Sequence, residues 1–71
     1  MRYKIIDKHT KQAVHNFAFT SVDGIVHKKP FFIHCSNDYP LVFSNKKDAK
    51  NTASRLGDIY KVVELWNLNN Y

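Results

Sequence analysis

The chain has 71 residues, too few for a second domain, and is 44% hydrophobic and 14% aromatic with only two glycines and two prolines, which argues for a folded rather than a disordered protein with one small core. Eleven lysines and arginines oppose six acidic residues, a formal charge of +5 that favours an acidic partner without naming one. The lone Cys35 excludes an internal disulfide, no apolar run approaches the roughly 18 residues of a membrane span, and residues 2–7 read as a charged strand rather than a signal peptide, so one soluble cytoplasmic domain is expected.

Residues 2–7 alternate charge with Tyr3 and Ile5 and predict a first strand. Residues 7–11 carry turn chemistry, since Asp7 and Thr10 can accept bonds from nearby backbone amides. Lys11 then fills the left-handed position usually given to glycine or asparagine. Residues 12–22 predict a second strand, with His15, Phe17, Phe19 and Ser21 on the face turned to the core and Val14, Asn16 and Ala18 on the other. Asp23 and Gly24 suit a two-residue type I′ loop pairing Val22 with Ile25, a register that sets Thr20 opposite His27. Pro30 interrupts the ladder because it lacks an N–H, and residues 31–35 resume extended structure.

A loop over 36–40 and a short strand over 41–43 lead to a helix capped by Ser44 and closed by Gly57. Ala49, Ala53 and Leu56 fall at i, i+4, i+7 on its apolar face, while Lys46, Lys47, Lys50, Asn51 and Arg55 fall on the other side. Residues 59–66 are β-branched and aromatic and predict a last strand. The expected fold is α+β, an antiparallel sheet of four to five strands with one helix on one face, in the order β-β-β-β-α-β.

Few residues suggest chemistry. His9, His15, His27 and His34 match no zinc spacing, and His34 and Cys35, as strand neighbours, point to opposite faces, so no metal and no cofactor is expected. Cys35 reads as a half-buried structural thiol. Asp7, Asp23, Asp38, Asp48 and Asp58 suit turns or the helix start rather than an acid–base pair, and no enzyme is expected. Surface binding remains. Lys46, Lys47, Lys50 and Arg55 make the helix basic, and Lys28 and Lys29, with Arg2, Lys4 and Lys61, extend the charge to the sheet. Phe31, Tyr39, Tyr60, Trp66 and Tyr71 are candidate aromatic platforms, the combination that sequence-tolerant nucleic-acid binders use. Trp66 and Tyr71 are alternatively a docking end for a protein.

Tyr3, Lys4, Ile5, Ile6 and Asp7 before a turn, the run from Leu41 to Ala49, and Leu56 and Gly57 leading into Tyr60, Lys61, Val62, Val63, Glu64 and Leu65 resemble small uncharacterised proteins of phages and prophages from low-GC Gram-positive bacteria. The abundance of residues with A/T-rich codons agrees. That resemblance implies an accessory factor that binds and inhibits or redirects a host macromolecule, as anti-CRISPR and other anti-defence inhibitors do, and it transfers no site residues. Many anti-CRISPR proteins are acidic nucleic-acid mimics, so a basic chain of this class would cover an acidic surface or engage guide RNA. The expectation is a non-enzymatic binder of a host protein or protein–nucleic-acid complex. Direct DNA or RNA binding is the alternative, and oligomeric state is left open.

Overall fold

The computed structural model describes residues 2–65 and shows an α+β fold of four strands and one helix. The order is β1 (Tyr3–Asp7), β2 (Val14–Ala18), β3 (Phe32–Cys35), α1 (Lys46–Leu56) and β4 (Tyr60–Glu64). The strands form two antiparallel two-stranded sheets, β1 with β4 and β2 with β3, rather than one sheet of four to five strands.

The split has a local cause. The turn after β1 forms as its residues dictate: Asp7 Oδ1 accepts from the His9 and Thr10 N–H groups, Lys11 takes φ 64°, and Asp7 N–H donates to the Gln12 carbonyl. Ile6 then pairs with Ala13. One step further, the Val14 carbonyl that would continue the ladder to β1 accepts from Leu41 N–H at 2.9 Å. Tyr3 meanwhile exchanges both backbone bonds with Phe43 at 2.8 Å each. Residues 41–43 therefore occupy the edge of β1 that β2 would have taken, as single pairings and not as the separate strand expected there.

β2 departs from strict alternation. Val14 pairs with Cys35 but Asn16 with His34, so one extra residue is accommodated as a bulge around His15. The expected inward face of this strand needs correction. Val14 is fully buried and His15 exposed, whereas beyond the bulge Phe17 and Phe19 turn to the core as expected.

The hairpin beyond β2 also differs from expectation. Ser21 N–H donates to the Ile25 carbonyl, Gly24 N–H to the Ser21 carbonyl, and Thr20 pairs with Val26 instead of His27. These bonds close a three-residue loop. Among the described non-glycine residues only Lys11 has positive φ, so Asp23 does not adopt the conformation a type I′ turn needs, and Gly24 at φ 83° takes the left-handed position alone.

The helix begins one residue later than Ser44. Asn45 is the cap, its Oδ1 accepting from Lys47 N–H at 2.8 Å and Asp48 N–H at 3.4 Å. Gly57 closes it at φ 139°, ψ 168°, a region open essentially to glycine alone, and donates to the Ala53 carbonyl. Asn45→Ala should cost about 1 kcal/mol and lower the melting midpoint by about 4–8 °C, with Ser44→Ala close to neutral; equal losses from the two would misplace the cap.

Ala49, Ala53 and Leu56 are buried, so α1 lies on β1 and β4 by its small-residue face. Ile5, Val14, Ala53 and Leu56 form the core, with Phe17, Phe19, Ile33, Cys35, Phe43, Tyr60 and Val62 packed around it. The second sheet is joined to the first where β1 meets the start of β2, through the Ile6–Ala13 pairing and the Asp7 N–H bond to the Gln12 carbonyl, and by Val14 and Ile33 entering the same core.

Candidate functional site

Beyond Phe19 the chain leaves the core. Every residue from 22 to 29 is exposed, and the hairpin they form is an arm attached through β2 and β3. Its apolar side chains are not withdrawn from solvent: Val22 is 96% exposed, Val26 71%, Ile25 58% and Phe31 52%. A β-branched pattern that reads as a half-buried strand thus produces an uncovered apolar tip.

Pro30 shapes the returning limb of the arm. The ladder holds as far as His27, whose N–H donates to the Phe19 carbonyl at 2.6 Å, breaks over residues 28–30, and resumes where Phe31 N–H donates to the Ala18 carbonyl at 2.6 Å. The rings on either side of the break make a chain of contacts. His27 stacks on Phe31 with centroids 5.7 Å apart and planes 21° from parallel, Phe31 meets Phe32 edge-on at 6.5 Å, and Phe32 meets His34 at 4.8 Å. Phe32 and His34 share one face of β3, while Ile33 and Cys35 take the opposite face toward the core. Lys28 and Lys29 stand exposed between His27 and Phe31. Residues 24–37 contain no carboxylate at all. That local absence covers the returning limb of the arm and β3, and Asp23 at the tip is the arm's one carboxylate.

The candidate residues fall into separate groups. Lys46, Lys47 and Lys50 are exposed on α1, and Lys28 and Lys29 are exposed on the arm. Arg55 bridges these regions, because its guanidinium carbon sits 4.0 Å above the Phe19 ring, and Phe19 itself meets Phe17 edge-on at 5.7 Å. Its position gives it a structural duty in addition to its charge. Lys4, expected to add to the basic surface, is only 8% exposed and is withdrawn from it. Tyr39 is exposed and its carbonyl lies 2.6 Å from His15 Nδ1, whereas Tyr60 is half-buried against the core and offers no platform. Trp66 and Tyr71 lie outside the described residues.

The acidic groups keep local duties. Asp7 holds its turn, Asp48 lies in the first helical turn, and Asp23 and Asp38 each donate a backbone N–H to a serine Oγ two residues earlier, Ser21 and Ser36. Among the described residues no group of three or more His, Cys, Asp or Glu could hold a metal ion, and no helix is long and apolar enough to cross a membrane.

Burial, and then the nearby Asp7 carboxylate, raise the pKa of the Cys35 thiol above its ordinary value; burial, then Cys35 and Asp7, do the same to Tyr60. The thiol is therefore held protonated, opposite to the low-pKa thiolate that a nucleophile needs. A folded pKa above the unfolded one gives a contribution to stability that is fully present below the ordinary thiol range and lost as pH climbs through the raised value. Native Cys35 should alkylate more slowly than the same thiol in denaturant, and Cys35→Ala should flatten the loss of stability on the alkaline side. Equal alkylation rates in the two states would contradict this environment. No family model, curated protein or solved structure matches the chain.

Proposed function

We propose that the protein is a non-enzymatic accessory factor that acts in the cytoplasm by binding a host macromolecule, and that the projecting arm is its contact surface. One observation carries this reading: four large hydrophobic side chains, Val22, Ile25, Val26 and Phe31, are concentrated and exposed on a segment that also holds Lys28 and Lys29 and is free of carboxylates from Gly24 onward. An exposed apolar patch rimmed by charge is a frequent mark of an interaction site. A small domain gains no stability from such a patch. Lys46, Lys47 and Lys50 add positive potential that draws an acidic partner toward the molecule, a contribution to encounter rate more than to fit. The resemblance to phage and prophage accessory proteins supports a partner of the bacterial host, including an anti-defence target, and the protonated Cys35 supports binding over thiol chemistry.

A photo-crosslinking amino acid tests the surface directly. Placed at Val26 in the expressed protein, it should give discrete adducts in cells, and placed at Thr10, exposed in the turn after β1, it should give none. Equal adduct patterns at both positions, or none at Val26, would remove the arm from the proposal.

A further inference from the structure

We infer that the outer face of the arm is a stacking site for single-stranded nucleic acid, in which bases lie on Phe31 and its ring neighbours while Lys28 and Lys29 take the phosphates. This rests on the arm being the contact surface and names the partner class. The ring contacts run from His27 through Phe31 and Phe32 to His34, with the two lysines interposed in sequence. Cations interleaved with aromatic faces are what sequence-tolerant single-strand binding requires, because every base has a face to stack and every nucleotide a phosphate to neutralise.

Charge complementarity selects this occupant over a protein. A protein partner would be satisfied by the aliphatic tip alone, whereas residues 24–37 combine two lysines with no carboxylate, so nothing on the segment repels a polyanion. A duplex is disfavoured for a different reason: its bases are already stacked and shielded, and rings on a narrow two-stranded arm reach only the edges of the grooves.

The measurement is fluorescence anisotropy of the intact protein with a labelled mixed-sequence single strand of about 20 nucleotides and with the matching duplex, at about 50 and 200 mM salt. The single strand should bind more tightly. Two phosphate contacts at a slope of about −0.7 each predict roughly a sevenfold weakening over that fourfold rise in salt. Phe31→Ala should reduce single-strand affinity by roughly five- to 150-fold without changing the salt slope. Lys28→Ala with Lys29→Ala should flatten the slope, and because both lysines are exposed this variant remains informative even if Phe31→Ala disturbs folding. Equal affinity for duplex and single strand, or loss of binding only on replacing Lys46, Lys47 and Lys50, would overturn the inference. So would absence of single-strand binding at low salt. In that case a crosslink from Val26 to a protein would leave the arm as the contact surface with a different partner, and no crosslink would remove both readings.

Discussion

Ile5→Ala is expected to cost about 2–5 kcal/mol, the range for removing a large aliphatic side chain from a core that cannot collapse around the gap. Ile5 has no exposed surface, stands opposite Val62 in the centre of the β1–β4 pair, and belongs to the cluster with Val14, Ala53 and Leu56. Few neighbours can move to fill its space. The small face of α1 is set by Ala49 and Ala53, which have no longer side chain to extend, and Val14 is held by its pairing with Cys35 and by the Leu41 N–H on its carbonyl. A domain of this size is stabilised by only about 3–5 kcal/mol, so one such substitution should leave much of the population unfolded at room temperature. Circular dichroism with urea titration reads the outcome. A loss of stability under about 0.5 kcal/mol, the size expected of a surface change, would mean that the core lies elsewhere.

Elements governed by neighbouring residues are legible in the sequence. The helix is marked by Ala49, Ala53 and Leu56 at helical spacing and by Gly57 after them, and the first turn by Asp7, Thr10 and Lys11. Each of those features depends on contacts within a few residues. The features that stay hidden depend on competition between distant segments. Nothing near Val14 shows that Leu41 takes its carbonyl, so the division into two sheets is not visible in the pattern, and neither is the freedom of the arm. Ser44 and Asn45 are both good cap residues by type, and Asn45 is the one whose carbonyl accepts from Ala49 N–H and whose side chain accepts from Lys47 and Asp48 N–H. The arm misleads for a physical reason: Val22, Ile25 and Val26 are β-branched, a preference that strands satisfy equally when one face is covered and when it is not. Pattern reports extended backbone; only the rest of the fold decides what lies above it.

The bulge in β2 leads to a comparison in which the larger deletion by volume should be the milder. Removing Ala18, a small residue, brings Phe17 directly next to Phe19, and adjacent strand residues face opposite ways. One of those rings must then leave the core, which costs about 1.5–3 kcal/mol in lost burial. Removing His15 has the opposite geometry. Val14 becomes continuous with Asn16, so the observed partners Cys35, His34, Ile33 and Phe32 are met in unbroken succession by Val14, Asn16, Phe17 and Ala18. Every inward side chain stays inward. The direct losses are the His15 Nδ1 contact with the Tyr39 carbonyl, about 1 kcal/mol for one hydrogen bond, the tilted contact of the His15 and Tyr39 rings, and the extra twist that a bulge adds. Urea midpoints at unchanged slope should therefore place the His15 deletion near the parent and the Ala18 deletion well below it, and the His15 deletion should retain the outward ring ladder and whatever the arm binds. If both deletions destabilise alike, His15 is not a spacer, and the orientation of Phe32 and His34 toward solvent must be set by the hairpin tip instead.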